Sequence, residues 1–163
     1  MIRTRDITLE QVRSLADNGT LFALLDSCDE PEIPARCNAL APDNAACLWQ
    51  GQGLRDFWHI APYLMRVSRT ELDWICRDLW NKPWGCFVAG RSDVQSLRTH
   101  FRQFLTVPGA DGQKMLFRFY DPRVIKPFLH ARAEHEVEQF YGPAAGFGIT
   151  APFDLAKIEF ITK

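Results

Sequence analysis

The 163-residue chain is 47% apolar and 24% charged, values of an ordinary folded protein that exclude a disordered one. Its formal net charge is −1 and no local run of Lys and Arg stands out, so neither nucleic acid nor an acidic membrane is an expected partner. The length favours a single domain over residues 1–163, and no apolar run approaches the ~18 residues of a membrane span.

In chain order, residues 8–18 read as a helix: Thr8 and Gln11 make a capping box, Leu9, Val12, Leu15 and Ala16 share a face, and Gly19 stops it. "LFALLDS" (21–27) is a continuous apolar run, the pattern of a strand covered on both faces. Residues 28–45 read as a loop with at most one helical turn, "ACLWQ" (46–50) as a second strand and "GQGLRD" (51–56) as a loop. "HIAPYLMRVS" (59–68) is a further strand that Pro62 delays or confines to an edge. A helix follows, capped by Ser68 and Glu71, with Leu72, Ile75, Cys76, Leu79 and Trp80 at helical spacing.

"WGCFVAG" (84–90) is a strand, and Ser92 with Gln95 is the expected cap of a helix carrying Val94, Leu97, Phe101, Phe104 and Leu105. A turn at 108–112 leads into the strand "KMLFRFY" (114–120), then a helix over 122–130 and another over 132–141, closed by Gly142 and Pro143. The tail alternates weakly in "AKIEFIT" and reads as an edge strand or an extended segment. Alternation of strand and helix between 61 and 130 predicts an α/β domain whose central sheet is mixed or mostly parallel and flanked by helices.

The start, "MIRTRDITLEQV", has no apolar stretch behind its basic residues and does not read as a secretory signal. Five cysteines (Cys28, Cys37, Cys47, Cys76 and Cys86) are odd in number and lack paired spacing, which favours free thiols in a reducing, cytoplasmic compartment. Arg outnumbers Lys 14 to 5 and there are five Trp, a bias shared by interface centres and by cores encoded in GC-rich genomes.

Chemistry-bearing motifs are scarce. His130 and His135 are not on one helix face, and neither Cys-x-x-Cys nor His-Glu-x-x-His occurs, so no metal is expected. "GQG" at 51–53 lacks the rest of a dinucleotide fingerprint, and there is no Walker lysine and no Gly-x-Ser-x-Gly elbow, so no cofactor is expected. Cys86 lies inside an apolar strand, where a thiol is inert. Two carboxylates remain: Asp26 and Asp121 sit at predicted strand ends, with Arg118 and Arg123 near the second. They fit a small α/β enzyme acting on a phosphate or carboxylate. They fit better a structural joint, in which Asp121 and Pro122 cap the 122–130 helix and Arg118 pairs with Asp121 or Asp26.

The string "LFRFYDPRVIKPFL" followed by "EQFYGP" resembles the signature of domain-of-unknown-function family 4123, the effector chaperones or adaptors of bacterial type VI secretion systems. "LFALLDSCDEP", "APYLMRV", "WGCFVAG" and "SLRTHFRQFLTV" match further blocks in order, so the resemblance covers about residues 20–143 and leaves the tail 144–163 unconstrained. It implies a non-enzymatic, cytoplasmic protein that binds a cognate toxic effector and helps load it onto the VgrG spike protein. Such a role asks for exposed aromatic or Arg anchors, and Arg118, Tyr120, Arg123, Trp49 and Trp58 are the protein-binding candidates, together with the tail strand "KIEFIT".

Overall fold

Six consecutive buried residues, Leu21–Asp26, form the strand around which the other elements are arranged. The computed structural model describes residues 2–163. Its strands are β1 (Arg3–Ile7), β2 (Leu21–Asp26), β3 (Ala45–Cys47), β4 (Pro62–Arg66), β5 (Gly85–Ala89), β6 (Thr106–Pro108), β7 (Lys114–Leu116), β8 (Gly146–Ala151) and β9 (Asp154–Thr162). Its α-helices are α1 (Leu9–Asp17), α2 (Glu32–Asn38), α3 (Gly51–Phe57), α4 (Arg69–Trp74), α5 (Val94–Phe101), α6 (Pro122–His130) and α7 (Glu134–Tyr141). A π-helical turn, Ile75–Leu79, prolongs α4.

Seven strands make one sheet in the order β1-β9-β8-β5-β2-β4-β3, and β6 with β7 forms a separate hairpin. Because side chains alternate across a strand, β2 serves two cores. Leu21, Ala23 and Leu25 meet Val12 and Ala16 of α1, Ile33 of α2 and Leu72 of α4 on one face. Phe22 and Leu24 meet Leu97 and Phe101 of α5, Ile125 of α6 and Phe140 of α7 on the other. Helices therefore cover both faces of the sheet, and the α/β class stands.

The expected mixed or mostly parallel sheet does not. Every pairing in it is antiparallel. The reason lies in β2. Strands β4 and β5, joined through α4, do run in the same direction, but β2 lies between them, pairing Phe22 with Arg66 on one side and with Val88 on the other. The helical connection between β4 and β5 does not fix their adjacency, so that parallel pair never forms, and across α3 the strands β3 and β4 pair directly and antiparallel.

Other local differences have local causes. Residues 51–56 belong to the helix α3, entered through Gly51 at φ +66°. The region 28–45 contains the helix α2, and residues 3–7 form the edge strand β1. The cap of α5 is Asp93, whose carboxylate accepts the Ser96 N–H at 2.8 Å, in place of Ser92. The strand expected over 114–120 ends at Leu116: the Phe117 N–H to the Leu105 carbonyl, 2.8 Å, is the last bond in the β6–β7 register, and Leu105 already belongs to the turn that closes α5, so no partner strand continues beyond it. The tail supplies two strands, and β9 is interior, hydrogen-bonded to β1 and β8 along "KIEFIT". No helix among the described residues is long and apolar enough to cross a membrane.

Candidate functional site

The chain leaves the β6–β7 hairpin through Phe117-Arg118-Phe119-Tyr120, and alternation there separates two environments. Phe119 is buried in an aromatic cluster, with ring centroids 5.8 Å from Phe101 and 5.3 Å from Phe140. Phe117 packs at 4.9 Å on Phe128 of α6. Arg118 points the other way and ion-pairs with Asp26 at the end of β2. The Asp26 carboxylate also accepts the Cys28 N–H at 3.1 Å, while its own N–H donates to the Trp84 carbonyl at 2.7 Å.

Tyr120 is 1% exposed. Burial, then the nearby Asp26 charge, pushes its hydroxyl well above the usual tyrosine range, against a smaller opposing pull from Arg118. It stays a neutral core residue, and its place among the expected contact residues is corrected on that ground. Asp121 then caps α6, its carboxylate accepting the Arg123 N–H at 2.8 Å, with Pro122 at the first helical position, where a missing N–H costs nothing. The Arg123 guanidinium closes back on the same carboxylate at 2.9 and 2.6 Å. Burial alone pushes the Asp121 carboxyl up, but the Arg123 side-chain and backbone hydrogen bonds and the charges of Arg123 and Arg118 together hold it below its ordinary value.

The joint thus holds two carboxylates and two guanidiniums, each carboxylate already bonded to an arginine and to a backbone amide. The Arg118–Asp26 pair ties the hairpin exit to the end of β2, while the Asp121–Arg123 pair closes the start of α6 on itself, with the Asp121 N–H donating to the Arg118 carbonyl at 3.1 Å. The joint offers no free base. The neighbouring Ser27 hydroxyl donates to the Ala61 carbonyl at 2.6 Å, and burial pushes the Cys86 thiol far up. Among the described residues no group of three His, Cys, Asp or Glu could hold a metal ion.

Beside the joint several apolar side chains face solvent. Helix α3 buries none of its residues, and the short turn after it leaves Trp58 and Ile60 exposed along with Phe57. Met115 and Leu116 on β7 are exposed to 56% and 50%. Between α3 and the hairpin runs a groove of about 470 Å³ lined by Trp49, Phe57, Leu105 and Leu116 among others. Of the sequence candidates, Trp58 and Arg123 are exposed, Trp49 and Arg118 half-buried, and Trp49 alone of these lines the groove. "KIEFIT" is occupied on both edges and presents no free edge to a partner strand. Phe57, Met115 and Leu116 were not foreseen. The signal for Phe57 was present in "LRDFWHI", an apolar cluster next to Gly-rich, polar sequence, once that stretch is known to be helical and exposed.

Comparison with known proteins gives one family. The model of the family described as domain of unknown function (DUF4123) matches residues 21–139, most of the chain and all of the joint. No curated protein and no solved structure matches.

Proposed function

Because the chain belongs to the DUF4123 family, and because each carboxylate of its joint is paired with an arginine, we propose that it is a non-enzymatic adaptor that binds a cognate type VI secretion effector. In this reading it works in the cytoplasm of the producing cell, shields aggregation-prone surface of the toxin, and helps to hand it to the VgrG spike protein.

The observation that carries the reading is α3 with the β6–β7 hairpin: a seven-residue helix with no buried residue, facing a two-stranded hairpin with two exposed apolar side chains. Neither element is stable by itself, since short isolated helices and two-stranded hairpins are marginal in water. Exposed apolar surface beside a groove is what a protein partner covers. The charge clamp behind it fixes the hairpin exit relative to the sheet, so the groove is presented in a defined shape, which lowers the ordering cost of binding.

The test is co-expression of the chain with the toxin encoded beside it. A toxin that is soluble and co-elutes only when the chain is present supports the adaptor. A toxin equally soluble without the chain, and never co-eluting with it, removes the reading and returns attention to Asp26 and Asp121.

A further inference from the structure

Arg102, just past α5, lines the same groove between α3 and the hairpin. It is half-buried, and among the described residues its guanidinium has no hydrogen-bond or ion-pair partner. A half-desolvated cation without a counter-charge is unfavourable in the free protein, and it becomes favourable once a carboxylate is placed against it. A second guanidinium lies close by. Burial, and then the like charge of Arg102, holds Arg98 below the usual arginine range. Arg98 is engaged, donating from Nε to the Cys47 carbonyl at 2.7 Å, and leaves Arg102 as the open charge. The one acid of α3, Asp56, accepts from the Gln52 amide at 2.7 and 2.8 Å.

Most of the remaining lining is apolar, Leu48, Trp49, Phe57, Leu105 and Leu116, with Gln50 and Thr106 as its neutral polar members. One unpaired cation in a mainly apolar groove defines the chemistry of what fits. Resting on the adaptor reading above, we infer that this groove takes an amphipathic segment of the client toxin, apolar side chains inward, with an Asp or Glu side chain set against Arg102. The guanidinium fixes the register of the segment, because its planar fork accepts a carboxylate in one geometry, while the apolar contacts supply most of the affinity. Discrimination against other hydrophobic segments follows, since a segment lacking the acid covers the half-buried cation further and leaves it unpaired.

The experiment uses the complex of the full chain with its toxin. A photocrosslinking phenylalanine analogue replacing Phe57 identifies the toxin segment that lies in the groove. The expected segment alternates apolar residues at helical or strand spacing and carries an Asp or Glu. Arg102→Glu weakens the complex roughly tenfold or more, and an acid-to-arginine change in the crosslinked segment restores it. Arg102→Gln melts as the parent does and shows intermediate binding. A wild-type complex that forms normally but is changed less than about twofold by Arg102→Glu overturns the inference and leaves the adaptor reading intact. So does a crosslinked segment without a carboxylate. A wild-type chain that holds no toxin at all removes both.

Discussion

Arg118 reaches across 92 residues of sequence to ion-pair with Asp26, tying the hairpin exit to the end of the central strand β2. The two partners differ in exposure, 39% for the Arg118 side chain and 1% for Asp26, so the carboxylate depends on the arginine more than the reverse. Removing one member of a buried pair strands the other. Arg118→Ala should therefore destabilise the fold by about 2 kcal/mol, reduced from the fully buried case because water reaches the guanidinium side. Arg118→Ala with Asp26→Asn should recover part of that loss. Urea unfolding of the parent and the two variants measures it. A single variant as stable as the parent would mean that water already solvates Asp26.

At Asp121 the prediction concerns pH. Its folded carboxyl titrates below the ordinary value, so the charged form is the one that folding favours. The stabilisation is complete above the unfolded aspartate pKa of about 3.9 and is lost as pH falls through the lower folded value. Asp121→Asn keeps a capping oxygen but loses the charge that pairs with Arg123, so it should flatten the acid limb of the stability curve below about pH 4 and lower the neutral-pH plateau by about 0.5–1 kcal/mol. An acid limb identical in parent and variant would show that other carboxylates govern it. Charge reversal at Arg123 is a poor probe of client binding, because a glutamate there faces Asp121 directly. Arg123→Gln keeps the backbone N–H that caps the helix and isolates the side chain.

The exposed groove should be separable from stability. Phe57→Ser and Leu116→Ser remove side chains that are each 50% exposed, so each variant should stay within about 1 kcal/mol of the parent. The same variants should lose most of the co-elution with the toxin, because buried aromatic and aliphatic anchors dominate interface energies. Melting and pull-down on one preparation decide it. Intact binding by both would move the client surface elsewhere, with the exposed Phe153 at the β8–β9 turn as the next surface to test.

The helices with clear apolar spacing were legible in sequence: "DPRVIKPFL" carries its own cap and its own inward face, and the structure starts α6 at Pro122. So was β2, whose uninterrupted apolar run matches burial on both faces. Strand adjacency was not, since nothing in "PYLMR" or "GCFVA" records that β2 lies between them. The groove was hidden for a related reason: it joins residues 48–57 to 102–116, and neither half alone signals a shared surface. Arg118 and Asp26 were both visible as charged residues beside apolar runs, but the choice of Asp26 over Asp121 as partner needed the chain's path through space.

The tail gives the sharpest test of the sheet order. As an edge strand, "KIEFIT" could be removed at modest cost. As β9 it holds β1 on one side and β8 on the other, buries Ile158, Phe160 and Ile161, and accepts the Tyr141 hydroxyl at the Ile161 carbonyl, 3.0 Å away. Deleting residues 154–163 would expose both cores, strand a buried hydroxyl and leave β8 as an unpaired apolar edge, the condition that favours aggregation. The shortened chain should be insoluble or lack a cooperative melt, while Ile158→Ala in the full chain should cost about 2–4 kcal/mol and still fold. A soluble, cooperatively melting chain ending at residue 153 would contradict an interior β9. The contrast with Lys157→Ala, at an exposed ion pair of 3.7 Å with Asp6, keeps the reading specific to burial: that change should alter stability by less than about 0.5 kcal/mol.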